Sequence, residues 1–120
     1  MKKKSFLVLF IFILTASILY GKTDKQDKAV YLYFIRHGKT MFNTIGRAQG
    51  WSDTPLTAAG EQGSIELGLG FKEKGIKFDR AYSSDSGRTI QTMGFILANS
   101  DNEGIPYTYD KRIREWCFGS

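Results

Sequence analysis

The sequence predicts an α/β fold with a mostly parallel sheet, and two observations support this. Residues 29–36 (AVYLYFIR) form a nearly unbroken apolar run rich in β-branched and aromatic residues, a pattern typical of a strand buried on both faces. Further along the chain, candidate helices and strands alternate in the order of βαβ units. The polar residues that directly follow the first strand are then expected at the ligand-binding edge of the sheet.

The segments after the first predicted strand differ in how clearly they are specified. Residues 41–55 predict a long ordered loop with a helical start. Residues 56–74 fit both a strand period and a helical period. Thr57 is a suitable helix cap, whereas Gly68 and Gly70 would each cost a helix interior about 1 kcal/mol. Pattern alone favours the helix only slightly.

The second half of the chain predicts strand, helix and strand in turn. Residues 78–83 form a short strand candidate. Asp85 or Ser86 could cap a helix that runs to about Asn99 and places apolar residues on one face at helical spacing. Residues 107–110 predict a third strand.

Composition limits the possible functions of these 120 residues, which allow one domain at most. The net charge of +5 depends largely on Lys2, Lys3 and Lys4, because without them 14 basic residues face 12 acidic ones. No basic stripe remains that would indicate a nucleic-acid partner. Cys117 is the single cysteine, so an internal disulfide and a metal site built on several thiolates are both excluded. We expect no cofactor.

The N-terminus predicts export. A basic start, an apolar run over residues 6–20 and a following polar stretch match a secretory signal peptide. The run is shorter than the ~20 residues that span a bilayer. Residues 1–21 are therefore expected to be a signal peptide or an N-terminal anchor, and residues 22–28 a polar linker. The rest is expected to be secreted or extracytoplasmic, with membrane contact only through an uncleaved leader.

One group of candidate catalytic residues follows the first predicted strand. His37 is the single histidine of the chain, and a neutral imidazole is a competent nucleophile near pH 7. Arg36 beside it could clamp phosphate oxygens, and Gly38 would let the backbone approach a ligand. The alternative is a structural histidine. An ATP-binding P-loop is excluded, because Tyr33 stands where that motif requires glycine.

Two further segments carry candidate charges. The hydroxyl-rich residues 83–92 lead into a helix N-terminus that favours anions, and Arg88 in its first turn could reach the same phosphate as Arg36. A capped helix with a solvated arginine is the alternative. Glu115 lies between bulky residues and could serve as a general acid. Alternatively, it is a surface residue paired with Arg112 or Arg114.

Together these segments resemble the histidine phosphatase superfamily, in its phosphoglycerate-mutase-like branch. Five blocks in family order carry the resemblance: residues 36–43 (RHGKTMFN), 49–57 (QGWSDTPLT), 57–63 (TAAGEQG), 82–92 (YSSDSGRTIQT) and 114–119 (REWCFG).

The resemblance implies a three-layer α/β sandwich in which residues 56–74 are helical, and an enzyme that uses no metal. It implies that His37 is the phosphohistidine nucleophile and Glu115 the proton donor and acceptor, with Arg36 and Arg88 binding the phosphoryl group. It further implies substrate contacts for the remaining candidates, Asn43, Gln49 and Gly50.

The resemblance also implies a second histidine, which this chain lacks. We therefore expect residues 29–120 to be the N-terminal part of a truncated histidine phosphatase domain with little or no turnover alone. A phosphomonoester phosphatase acting on a small phosphorylated substrate is preferred over a phosphoglycerate mutase, because the leader places the protein outside the cytosol. A catalytically impaired phosphate-binding module is the third reading. Gly87, where the family has a bulky apolar residue, would weaken a helix start.

Overall fold

The computed structural model describes residues 28–118. The predicted leader, nearly all of the predicted linker and Gly119 therefore lie outside the described residues. Residues 28–33 belong to one compact unit and residues 34–118 to another. The second unit contains the elements α1 (Met41–Thr44), α2 (Ala58–Glu73), β1 (Ala81–Ser83), α3 (Gly87–Asn99), β2 (Tyr107–Tyr109) and a 3₁₀ helix (Lys111–Ile113).

The first predicted strand does not form. Residues 29–36 have no regular secondary structure, and Val30 and Phe34 are 82% and 91% exposed. A strand buried on both faces requires hydrogen-bonded neighbours and an apolar layer on each side. In the described part of the chain the sheet consists of β1 and β2 only, so the predicted burial of this run is wrong for this structure.

The ambiguous segment 56–74 is helical, as α2. The Thr57 side chain caps it by accepting the Gly60 N–H at 3.1 Å, as predicted. Gly68 has a packing role, because a Cβ there would lie 2.7 Å from the carbonyl oxygen of Ile96. This close approach of α2 to α3 explains why the helix carries a glycine at that position.

The β1-α3-β2 unit confirms the predicted parallel sheet. Ala81 pairs with Tyr107 and Ser83 with Tyr109, and α3 connects the two strands. Ser86 is the N-cap residue of α3, although its side chain makes no capping hydrogen bond. The helix buries Ile96 and Leu97. Because the strands are parallel, the segments after β1 and β2 meet at one edge, where the Asp110 N–H donates to the Ser83 carbonyl at 2.8 Å.

Arg112 and Arg114, which follow β2, are each paired with an aspartate. Asp110 accepts hydrogen bonds from the Arg112 backbone and side chain, which lower the pKa of Asp110 to about 2. Arg114 pairs instead with Asp85, in the loop after β1. Among residues 28–118, no helix is both long and apolar enough to cross a bilayer.

Candidate functional site

An open cavity of about 530 Å³ lies beside the loop that carries His37. It contains three of the predicted site residues, together with four that sequence reasoning did not assign. The lining consists of Arg36, His37, Lys39, Asn43, Gly46, Arg47 and Ala48. The site therefore forms around the first predicted motif.

The His37 ring is oriented by its own backbone. Its Nδ1 lies 2.8 Å from the Gly38 carbonyl oxygen. A carbonyl can only accept a hydrogen bond, so this contact assigns the proton to Nδ1 in the neutral ring. Nε2 then carries the lone pair and bonds to none of the residues 28–118. A half-buried imidazole in this tautomer presents a nucleophilic nitrogen.

Gly38 is required for packing against α2. A Cβ at this position would lie 2.6 Å from the Gly60 carbonyl oxygen and 3.0 Å from the Ser64 hydroxyl. The Gly38 N–H also donates to Thr92 Oγ1 at 2.9 Å. The sequence had suggested close approach to a ligand, whereas the structure shows close approach to a helix. Both contacts fix the backbone next to His37.

Asn43 combines a structural role with a place in the cavity lining. Its Oδ1 accepts the Thr40 N–H at 3.1 Å, and Thr40 Oγ1 accepts the Asn43 N–H at 3.3 Å. This capping box defines the start of α1. The side-chain amide nitrogen of Asn43 is the donor that remains for a ligand.

Arg88 is at the centre of a separate, buried network. Its side chain is 2% exposed. One terminal nitrogen donates to the Ser52 carbonyl at 2.9 Å and to Asp53 at 3.2 Å. The other donates to the Gly50 carbonyl at 2.8 Å and to Glu115 at 3.1 Å. Arg88 Nε is buried and has no hydrogen-bond partner among the described residues. Arg88 is thus in the first turn of α3, as predicted, but it does not line the cavity.

The N-terminus of α3 has an anion from the protein itself. The backbone N–H groups of Gly87 and Arg88 both donate to the Asp53 carboxylate. A carboxylate at this point is stabilised by the helix dipole and by the free N–H groups of the first turn. The helix N-terminus in residues 83–92, which the sequence predicts to favour an anion, thus binds the Asp53 carboxylate.

Glu115 is more exposed than predicted. Its side chain is 44% exposed and pairs with Arg88, and neither Arg112 nor Arg114 is its partner. The Trp51 indole N–H donates to the Glu115 carbonyl at 3.0 Å. The segment after β2 is thereby joined to the loop before α2.

The four predicted catalytic residues consequently occur as two pairs. Arg36 and His37 line the cavity, and Arg88 and Glu115 form an ion pair. Thr92 connects them, because its hydroxyl accepts the Gly38 N–H and donates to the Arg88 carbonyl at 2.7 Å.

Neither Gln49 nor Gly50 lines the cavity, and the Gly50 carbonyl accepts from Arg88. The side-chain Oε1 of Gln49 accepts the Thr54 hydroxyl at 2.8 Å. Gly50 has φ of +55° and would, with a Cβ, contact Phe118 at 2.8 Å. A substrate-binding role for either residue stays a prediction.

Sequence reasoning assigned no role to Asp53, Thr92, Lys39 or Arg47. Asp53 and Thr92 stood inside the motif blocks, but no local signal shows that they would contact Arg88 and Gly38. Lys39 and Arg47 could have been found from the density of basic residues around His37. No set of His, Cys, Asp and Glu side chains within residues 28–118 is grouped to hold a metal ion.

The ion pair that secures the Glu115 segment predicts an acid-sensitive contact. The Arg114 guanidinium binds Asp85, which lowers the pKa of Asp85, and lies 4.9 Å from the Trp51 ring centroid. The contribution of this ion pair to stability is complete above about pH 3.9, the pKa of an unfolded aspartate. It is lost as the pH falls through the lower pKa that Asp85 has in the folded protein. We expect the tryptophan fluorescence to change below about pH 4, and Asp85→Asn to remove that change.

Asp110→Asn is the matched control for this titration. It breaks the neighbouring contact with Arg112 and leaves the contact between Asp85 and Arg114 in place. Superimposable acid titrations of wild type and Asp85→Asn would show that the Asp85 pair does not control this segment.

Several known proteins are similar to this chain. Residues 32–120 match the model of the histidine phosphatase superfamily (branch 1). The chain is 33% identical over 106 residues to a broad-specificity phosphatase of Saccharomyces cerevisiae, covering 88% of this chain and 46% of that protein. It is 39% identical over 90 residues to a 2,3-bisphosphoglycerate-dependent phosphoglycerate mutase of Streptococcus pneumoniae, covering 75% and 39%. The crystal structure of phosphoglycerate mutase from Bacillus anthracis superposes with a TM-score of 0.66 at 46% identity, over 70% of this chain and 36% of that one.

The protein is an α/β protein of the phosphoglycerate-mutase-like fold. It has a two-stranded parallel sheet, and it superposes on the Bacillus anthracis phosphoglycerate mutase. The chain belongs to the histidine phosphatase superfamily, branch 1. It spans less than half the length of these curated relatives.

Proposed function

We propose that the protein is a phosphomonoester phosphatase that acts through a phosphohistidine at His37. The observation that carries this proposal is the contact between His37 Nδ1 and the Gly38 carbonyl, because it leaves Nε2 free to attack phosphorus. Arg36 and Lys39, within two residues of the nucleophile in the chain, line the same cavity. Their charges would hold the phosphate oxygens and offset the charge that develops on them.

The reaction consists of two transfers. Nε2 forms a bond to phosphorus while the bond from phosphorus to the ester oxygen breaks, and the leaving oxygen takes a proton. Water then attacks the phosphohistidine and releases inorganic phosphate. Glu115 is the proposed proton donor and acceptor. Its side chain is 44% exposed, so it can exchange protons with solvent, and Arg88 holds it in position.

Phosphatase and mutase relatives both support a phosphoryl-transfer enzyme. A mutase must protect its phosphohistidine from water, whereas the cavity around His37 is open. We therefore prefer hydrolysis of a small phosphorylated substrate. We further propose that residues 1–21 export the protein, which N-terminal sequencing of the extracytoplasmic fraction would test.

Phosphohistidine trapping tests the proposal directly. Because His37 is the single histidine, any phosphohistidine in the chain identifies the nucleophile. We expect rapid quenching with a labile aryl phosphate to give an acid-labile phosphoryl group on wild type and none on His37→Gln. The reason is that glutamine keeps a similar shape but has no nucleophilic nitrogen.

Trapping is the appropriate measurement because it detects the first phosphoryl transfer by itself. Arg80→Gln is the matched control, since Arg80 is exposed and does not line the cavity. Absence of phosphohistidine on a wild-type chain that circular dichroism shows to be folded would refute the proposal.

A further inference from the structure

We propose that Arg47 selects substrates that carry a second anionic group besides the phosphate transferred to His37. The inference rests on the proposed function, since it concerns the other end of the molecule whose phosphate His37 would accept. Arg47 would act as a specificity residue and bind a carboxylate or a second phosphate of the substrate.

The first argument is the charge of the cavity. Its lining contains three permanent cations, Arg36, Lys39 and Arg47, and no carboxylate. None of the three forms an ion pair with a residue in the range 28–118. By contrast, Arg88, Arg112 and Arg114 are all paired with aspartate or glutamate. Three unpaired cations around one cavity repel one another, and that repulsion is relieved by a ligand with several negative charges.

The second argument is how Arg47 is held. The Arg47 N–H donates to the Phe42 carbonyl at 2.9 Å, after a turn in which Gly46 has φ of +68°. The guanidinium carbon then lies 4.9 Å from the Phe42 ring centroid. Stacking on a ring occupies the face of the guanidinium and leaves the N–H groups in its plane available. The side chain is thus held by the Phe42 ring, and its N–H groups form no hydrogen bond with residues 28–118.

The third argument separates Arg47 from the phosphate ligands. Arg36 and Lys39 flank the nucleophile in sequence, and the Lys39 carbonyl is fixed by the Thr57 N–H at 2.8 Å. Arg47 reaches the cavity on a different segment, ten residues after His37. Two cations are already available to the transferred phosphate, so the third can bind a separate anion. A planar guanidinium suits a carboxylate through two parallel hydrogen bonds.

Binding of two matched phosphate esters tests this inference. 3-Phosphoglycerate and glycerol 3-phosphate differ mainly in a carboxylate that replaces a hydroxymethyl group. We expect the 120-residue chain to bind 3-phosphoglycerate about tenfold more tightly, a difference equivalent to one good charge-assisted hydrogen-bonded pair. Arg47→Gln should reduce that ratio to about twofold or less, as measured by calorimetry or by shifts in NMR resonances.

Arg80→Gln is the control for Arg47→Gln. Arg80→Gln removes the same charge from an exposed position outside the cavity and should retain the wild-type ratio. Equal weakening of both esters by Arg47→Gln would make Arg47 a ligand of the transferred phosphate and overturn the inference. So would an absence of preference in wild type. Equilibrium binding requires no transfer, so failure of phosphohistidine trapping with the preference intact would remove the proposed function alone.

Discussion

Replacing Arg88 with methionine is expected to destabilise the second unit by about 3 kcal/mol. The substitution keeps an unbranched side chain but removes both ion pairs, with Asp53 and with Glu115. It also leaves the Gly50 and Ser52 carbonyls without their donor. Asp53 and Glu115 are 37% and 44% exposed and can partly rehydrate, which keeps the loss below the upper end for a fully buried pair. Urea unfolding followed by circular dichroism measures it.

Two further variants serve as controls for Arg88→Met. Arg80→Met changes an exposed arginine and should alter the free energy of unfolding by less than about 0.5 kcal/mol. Arg88→Lys keeps the charge but cannot supply donors to four acceptors, so its stability should lie between those of wild type and Arg88→Met. A loss of under about 1 kcal/mol in Arg88→Met would contradict the central role of this network.

The same network limits what Arg88 can do with a substrate. Both terminal nitrogens already donate to protein acceptors, and Asp53 occupies the N-terminus of α3. A phosphate could bind the terminal nitrogens only by displacing one of their four acceptors, which are the Gly50 and Ser52 carbonyls and the Asp53 and Glu115 carboxylates. A role for Arg36 and Arg88 in binding the phosphoryl group, which the family resemblance implies, stays a prediction: Arg36 lines the cavity, whereas Arg88 is paired with Glu115.

Local signals in the sequence predicted α3 and the parallel pair of strands, whereas for α2 the pattern alone favoured a helix only slightly and the family resemblance decided. Thr57 and Ser86 mark the starts of α2 and α3, and the connection from β1 to β2 through a helix is the usual parallel crossover. The apolar run 29–36 shows the limit of such signals. Its composition predicts a buried strand. Burial, however, depends on neighbouring segments that lie outside the run, and the run does not specify them.

The candidate site was likewise predictable only where its residues are contiguous in sequence. The His37 motif located the cavity, because the nucleophile and its neighbours are contiguous in sequence. The contact between His37 Nδ1 and the Gly38 carbonyl and the occupation of the α3 N-terminus by Asp53 depend on backbone geometry and on pairs 34 residues or more apart. Neither contact can be predicted from the periodicity or the spacing of residues in the sequence.

Gly60→Ala should lower the stability of the protein, although alanine is a better helix former than glycine. The reason is that Gly60 of α2 packs against the backbone of another segment. A Cβ at Gly60 would lie 2.2 Å from the Lys39 carbonyl oxygen and 2.7 Å from the Lys39 nitrogen. Both contacts are with backbone, which cannot move aside as a flexible side chain can. The loop must shift and would weaken the hydrogen bonds from Thr57 to the Lys39 carbonyl. We expect a loss of about 2 kcal/mol in the free energy of unfolding, together with reduced phosphohistidine formation because His37 moves with the loop.

Gly63→Ala is the matched control in the same helix. No atom lies within 4 Å of the added Cβ, so the variant should gain about 0.5–1 kcal/mol from helix propensity and retain wild-type trapping. The opposite signs of the two substitutions are the critical result. Stabilisation by Gly60→Ala comparable to that by Gly63→Ala would mean that α2 does not press against the Lys39 backbone, and that hydrogen bonds to Thr57 and Thr92 hold the His37 loop instead.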